Sequence, residues 1–265
     1  MTGLSATLQG WLADGAILVT LTGTEGSTPR AAGAVMIVNP HESAGSIGGG
    51  QLEFHCIAQA REMLALQEAR RELDIPLGPQ MGQCCGGRAK VRLERASMHH
   101  VASLAEAETL TTNAQPCVLI YGAGHTGRAL AQALALLPLH VTVIDDRADV
   151  FGGLPEAIAL RHLPDPQEAV LAAPRGAAHV ILTHSHALDY RLTEAALRRC
   201  DAAYVGLIGS ATKKARFAQS FLRNGGSAAE LVRLTCPIGG TQVRDKRPEV
   251  IAALTAAELV GVLLA

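Results

Sequence analysis

Apolar residues recur along this chain with two different periods, and the switches between them mark out the elements. Residues 4–14 carry apolar side chains at helical spacing and stop near Gly15, which predicts a short amphipathic helix. Ala16–Leu21 and Ala34–Val38 are short apolar runs and predict neighbouring strands. Leu52, Cys56, Met63 and Leu66 fall near helical spacing, predicting a helix from about Gln51 to Leu73. From Ala89 to Leu93 alternation returns, with Val91 and Leu93 on one side of a strand. Beyond residue 116 short apolar runs alternate with helical ones: strand 118–121, helix 127–137, strand 141–145, strand 179–183, strand 204–208 and helix 210–224. Pro248 suits the first position of a last helix, 249–264.

Strands alternating with helices predict a parallel sheet covered on both faces. The expected fold is therefore α/β: a C-terminal Rossmann-type parallel sheet with helices on both faces, plus a smaller α+β N-terminal domain. Residues 97–115 are weakly patterned and end in the polar run Thr111-Thr-Asn-Ala-Gln-Pro116. The expected division is 1–100 for the N-terminal domain, 101–115 for a linker and 116–265 for the Rossmann-type domain.

The sharpest motif opens that second half. Gly122, Gly124 and Gly127 follow the strand 118–121 in the G-x-G-x-x-G spacing of a dinucleotide-binding turn, and Asp145 ends the next strand. In such turns the first glycine permits the bend and the second lets backbone approach a pyrophosphate. The third lets helix pack closely on strand, and the acid meets a ribose hydroxyl. Parallel sheets hold ligands beyond the carboxyl ends of their strands. The loops starting at Gly122, Asp145, His184 and Gly209 are therefore the candidates, with His125 inside the first. Thr183-His184-Ser-His186-Ala-Leu-Asp189 looks superficially like a metallo-hydrolase string, but the acid is one residue late and a third His is missing, so no metal site is expected. Ser210 is a natural N-cap. Lys213, Lys214 and Arg216 oppose the dipole of the helix it caps, so a nearby anion would relieve them.

The first half has three unusual loops. Thr22–Gly33, rich in hydroxyls and glycines, carries Arg30; a long turn is its simplest reading. Gly45-Ser-Ile-Gly48-Gly49-Gly50 leads into a helix beginning at Gln51, with Glu53 in its first turn. It is either an anion-binding backbone at a helix N-terminus or a flexible turn, and both readings stay open. Leu77–Arg88 holds Cys84 and Cys85 before Gly86 and Gly87. Glycines leave a thiol accessible, and Arg88 and Lys90 would favour its thiolate. Neither zinc-ligand spacing nor a Cys-x-x-Cys pair is present, so a reactive or ligand-binding thiol is expected.

Composition narrows the function. Of 265 residues 48% are hydrophobic, with one Trp, three Tyr and four Phe, so few rings are available to stack on single-stranded nucleic acid. Net charge is −1 without a basic run, which excludes nucleic acid and anionic membrane as expected partners. Residues 1–29 lack the pattern of a secretory signal and no stretch is long enough to span a bilayer, so a cytoplasmic protein is expected. There its six cysteines would be thiols.

Seven motifs stand in order: Gly26-Ser-Thr-Pro-Arg30, Gly45-Ser-Ile-Gly-Gly-Gly50 with Glu53, Gly82-Gln-Cys-Cys-Gly-Gly87, Gly122-Ala-Gly-His-Thr-Gly127, Thr183-His-Ser-His-Ala-Leu-Asp189, Gly206-Leu-Ile-Gly-Ser210 and Cys236-Pro-Ile-Gly239. Together they resemble the xanthine dehydrogenase accessory protein family (XdhC/CoxI-like). The resemblance implies a chaperone that holds the molybdenum cofactor (molybdopterin), supports its sulfuration and hands it to apo-xanthine dehydrogenase. Implied partners are that client, a cysteine desulfurase as sulfur donor, and a second copy of the chain. Cys85, Cys84, Arg30, Gly48, Gly49, Gly50, Gln51 and Glu53 would serve the cofactor, Cys85 touching molybdenum or sulfur. Gly122, Gly124, His125, Gly127 and Asp145 would form a second cofactor-binding group. The alternative is an NAD(P)-dependent oxidoreductase using that Rossmann turn, although no Lys–Tyr or His–acid arrangement accompanies it.

Overall fold

A computed structural model describes residues 3–77 and 86–265, which divide into two compact units between Asn113 and Ala114. The first unit is built on an antiparallel sheet of β1 (Ile17–Glu25), β2 (Val35–Val38), β3 (Ser43–Gly45), β4 (Arg70–Leu77) and β5 (Gly87–Arg95). The order is β3-β2-β1-β5-β4. Period-two alternation along β1 sends residues to two cores. Ile17, Val19 and Leu21 pack with Leu52, Cys56, Ala60 and Met63 of helix α2 (Gly50–Leu66). Leu18, with Ile37, packs instead against Leu8 of α1 (Leu4–Trp11) and Val101 of α3 (Met98–Asn113). A buried truncation such as Met63→Ala should cost about 2–5 kcal/mol.

Two expectations change here. The helix foreseen to Leu73 stops at Leu66: Gln67 takes a left-handed conformation (φ 57°), and its N–H donates back to the carbonyls of Leu64 and Met63. Residues 70–77 pair instead with β5, from Arg70 opposite Glu94 to Leu77 opposite Gly87. Leu73, Ile75 and Leu77 supply the alternation, and Pro76 is tolerated because β4 is an edge strand. The stretch expected as a linker is mostly helix α3, within the first unit. It packs on α1, and Glu108 accepts from the Ser5 N–H at 3.0 Å and its hydroxyl at 2.5 Å. Val101 is its sole buried residue, which is why its pattern is faint.

The second unit carries six parallel strands: β6 (Cys117–Tyr121), β7 (His140–Asp145), β8 (Ala159–His162), β9 (Ala178–Ile181), β10 (Tyr204–Leu207) and β11 (Leu234–Thr235). Their order, β8-β7-β6-β9-β10-β11, is the 3-2-1-4-5-6 of a Rossmann sheet. Helices α4 (His125–Leu134) and α9 (Pro248–Leu263) cover the face that presents Val118, Ile120, Val141 and Val180. On the other face, Leu119, Tyr121 and Ile144 pack with α5 (Gln167–Ala172), α6 (His186–Arg198) and α7 (Ala211–Arg223). The short helix α8 (Ala228–Val232), held by a Ser227–Glu230 capping box, precedes β11. A strand buried on both faces is apolar at nearly every position, hence the near-continuous runs in sequence.

Candidate functional site

In the first unit three loops that lie far apart in sequence meet in close contact. Gly87 opens β5 so close to β1's extension that a Cβ there would strike the carbonyl oxygens of Ser27 and Glu25. Gly26, with φ +69°, faces Gly86 and Gly87, and Gly48, with φ +132°, lies against the ring of Pro29. Glycine is required at these contacts because any side chain would force the loops apart. Residues 26–30, 46–50 and 86–87 therefore form one cluster. Arg30, Gly50 and Gln51 are exposed, and Gly49 has no atom within 4 Å of where a Cβ would stand. Cys84 and Cys85 lie outside the described residues, immediately before Gly86 in the chain.

The glycine-rich backbone before α2 does hold an anion, but the anion is internal. Glu53 Oε1 accepts the N–H groups of Ile47 (2.9 Å), Gly48 (3.2 Å) and Gly49 (2.8 Å), and the Ser46 hydroxyl at 2.7 Å. Burial alone would raise the Glu53 carboxyl. The Ser46 hydroxyl and three backbone donors outweigh it and hold the group below its ordinary value. Gly48 and Gly49 are thus committed to Glu53, and Glu53 faces its own loop. Arg88 and Lys90 are also committed: Arg88 pairs with Asp74 at 2.5 Å and Lys90 with Glu25 at 3.1 Å, so neither is a free charge waiting for a thiolate.

The Rossmann turn of the second unit is closed in a similar way. Gly122 has φ +117°, and a Cβ there would collide with the Leu182 carbonyl; a Cβ on Gly127 would collide with the Gly122 carbonyl. The first and third glycines are therefore steric necessities. Gly124 differs: nothing lies within 4 Å of its missing side chain, and the exposed His125 begins α4 without a side-chain cap. Asp145 is 3% exposed; its oxygens accept Ala123 N–H at 2.7 Å, Arg147 N–H at 3.0 Å and the Arg147 guanidinium at 2.9 and 3.0 Å. Burial would raise this carboxyl, but Arg147 and the Ala123 N–H bring it down to about 2. Asp145 ties β7 to the turn, with its lone pairs used, instead of presenting them to a ribose. Arg128 adds a second tie, donating to Ala123 O at 3.1 Å and to the carbonyls of Val150 and Gly152.

The motifs at the ends of β9 and β10 form one network that sequence spacing did not reveal. Asp189 accepts the Thr183 N–H and hydroxyl, both at 2.8 Å, and the Lys213 ammonium at 2.5 Å; Lys213 also donates to Ile208 O at 2.8 Å. Asp189 is the anion that relieves Lys213 at the start of α7. His184, His186 and Asp189 line one groove, but Asp189 is committed to Thr183 and Lys213, His186 is exposed at the start of α6, and His184 Nδ1 lies 3.6 Å from Asp146. Asp145, Asp146 and His184 are close enough together for an ion, yet the Asp145 oxygens are already taken.

The profile described as the XdhC Rossmann domain matches residues 118–259, and that of the XdhC and CoxI family matches residues 11–74. The chain belongs to the XdhC and CoxI family. The uncharacterized protein YqeB of Escherichia coli strain K12 is 26% identical over 246 residues, an alignment covering 90% of this chain and 42% of YqeB. The chain therefore spans less than half the length of that relative. A crystal structure from Bacillus halodurans, described as a xanthine dehydrogenase, is similar with a TM-score of 0.78 at 17% identity, covering 99% of this chain and 96% of its own. At that identity the likeness is one of fold. The two XdhC-family matches fall one in each unit, and the match over residues 11–74 contains Arg30, Gly48–Gly50, Gln51 and Glu53.

Proposed function

We propose that this XdhC-family chain is an accessory protein for xanthine dehydrogenase maturation. In this reading it binds the molybdenum cofactor as cargo, supports its sulfuration and passes it to the apo-enzyme. The observation that carries this is the meeting of residues 26–30, 46–50 and 86–87, the last of which follow Cys84 and Cys85 in the chain. A thiolate is a soft ligand suited to molybdenum, and equally a carrier of sulfur delivered as a persulfide by a cysteine desulfurase. The residues fit the cargo in part. Gly48 and Gly49 are occupied by Glu53, so a cofactor phosphate would draw on exposed Arg30 and the first N–H groups of α2 at Gly50 and Gln51.

The test is equilibrium binding of molybdenum cofactor to the purified chain, followed by activation of apo-xanthine dehydrogenase. Cys85→Ala should weaken binding or sulfur-dependent activation, while Cys117→Ala, in β6 of the other unit, should spare both. If Cys84→Ala and Cys85→Ala, alone and combined, behave like wild type, the thiol loop is not the site.

One observation favours a second reading, nucleotide binding at the Rossmann turn: the open flank at Gly124 beside an uncapped helix start. The commitment of Asp145 to Arg147 argues against a ribose contact of the usual kind. Fluorescence titration with NADH and NADPH separates the two readings.

A further inference from the structure

Beyond the carboxyl end of β10, away from the glycine turn that follows β6, the second unit holds a cavity of about 720 Å³. That is within the roughly 300–1,000 Å³ common for small-molecule sites. Its walls are the β10 loop at Ile208, the segment 237–246 and α9. Ile208, Pro237, Ile238, Val243, Ile251 and Leu254 make them largely apolar. Val243 is 45% exposed and lines the open side of this apolar wall.

The charges at the rim are unbalanced. Asp245 is neutralised within its own segment, accepting the Arg247 N–H at 2.9 Å and the Arg247 guanidinium at 2.7 Å. Glu258, behind Gly239, accepts the Tyr204 hydroxyl at 2.8 Å and the Gly239 N–H at 3.0 Å. Arg244 and Lys246 line the same cavity, and among the described residues neither forms an ion pair. An apolar wall beneath two unpaired cations suits a molecule with the opposite arrangement. We infer that this cavity binds an amphiphilic phosphate monoester, its apolar body against Ile208, Pro237 and Val243 and its phosphate toward Arg244 and Lys246. The inference stands independently of cofactor maturation, and concerns neither the thiol loop nor the Gly122–Gly127 turn.

The experiment titrates the full chain with 1-naphthyl phosphate and, separately, with 1-naphthol, following probe fluorescence. Saturable binding of the phosphate, about tenfold or more tighter than of 1-naphthol, is expected. Arg244→Gln with Lys246→Gln should weaken the phosphate about tenfold and leave 1-naphthol nearly unchanged. Val243→Asp, an exposed-loop change that leaves the core intact, should weaken both probes. Arg216→Gln with Arg223→Gln, in a polar groove on the other side of Ser210, should change nothing. The assignment is overturned if neither probe saturates, if both bind equally, or if the loss follows Arg216 and Arg223 instead of Arg244 and Lys246.

Discussion

The Lys213 ammonium lies 2.5 Å from the Asp189 carboxylate, and their side chains are only 11% and 2% exposed. The pair joins the helix after β9 to the helix after β10, since Asp189 also holds Thr183 and Lys213 also holds Ile208 O. It therefore fixes the two loops that frame the carboxyl end of the sheet. Removing one partner strands a buried charge, at a cost of about 3–5 kcal/mol. Lys213→Met and Asp189→Asn should each destabilise the second unit on that scale, the latter even though Asn keeps an oxygen for Thr183. The double variant should lose clearly less than the sum of the singles. Urea unfolding measures this, and strictly additive losses would show that the two groups act separately.

How much of this was legible in the sequence depends on what the signal had to span. The Rossmann half could be read because its central strands are short, mostly apolar runs, and because Gly122, Gly124 and Gly127 sit at fixed spacing next to one of them. Helix α3 was hidden by having one buried residue, Val101. The end of α2 was missed although Leu73, Ile75 and Leu77 alternate, because Leu66 still fitted the helical period. In the site, an anion at the glycines before α2 was one of two open readings, and what those N–H groups hold is a carboxylate of the chain itself. That the anion is Glu53 could have been inferred from its place in the helix's first turn, where a carboxylate reaches back to the preceding backbone. Pairing of Asp189 with Lys213 has no local signature, because it joins two separate strand–helix connections.

The second prediction concerns acid. His179 is fully buried in β9, with Nδ1 3.0 Å from the Tyr121 hydroxyl; among the described residues Nε2 has no partner. Burial, helped by the Arg199 charge, pushes its pKa down to about 4, below the ordinary 6.5. A depressed histidine binds its proton more weakly folded than unfolded. Stability is therefore complete above pH ~6.5 and falls as pH drops toward ~4, by about 3 kcal/mol in all. Urea midpoints between pH 7 and 4 should show this slope, and a Tyr121→Phe, His179→Leu double variant should flatten it. An unchanged slope in that variant would assign the acid sensitivity elsewhere.

Glu53 offers a third. Glu53→Ala removes the shared acceptor of three backbone N–H groups and the Ser46 hydroxyl, leaving part-buried donors without it. A loss of about 1–3 kcal/mol is expected. The vacated backbone then becomes an anion site, so added phosphate should raise the melting temperature of Glu53→Ala more than that of wild type. Equal effects of phosphate on both proteins would mean that the loop collapses once the carboxylate is gone.

The last prediction separates two glycines of one turn. A methyl on Gly127 would run into the Gly122 carbonyl and into Leu182, which belongs to the packed core of the second unit. Neither neighbour can yield cheaply, because one is backbone and the other is buried, so Gly127→Ala should destabilise by about 1–3 kcal/mol. Gly124 has an ordinary φ of −72° and open space beside it, so Gly124→Val should fold normally, costing within about 1 kcal/mol. What Val would change is access to the first N–H groups of α4. If NADH, NADPH or a phosphorylated pterin binds this turn, Gly124→Val should abolish that binding while the thermal melt stays near wild type. Should wild type bind none of them, and Gly124→Val leave client activation unchanged, Gly122 and Gly127 serve packing alone, Gly124 contacts no ligand, and the maturation chemistry rests with the thiol loop.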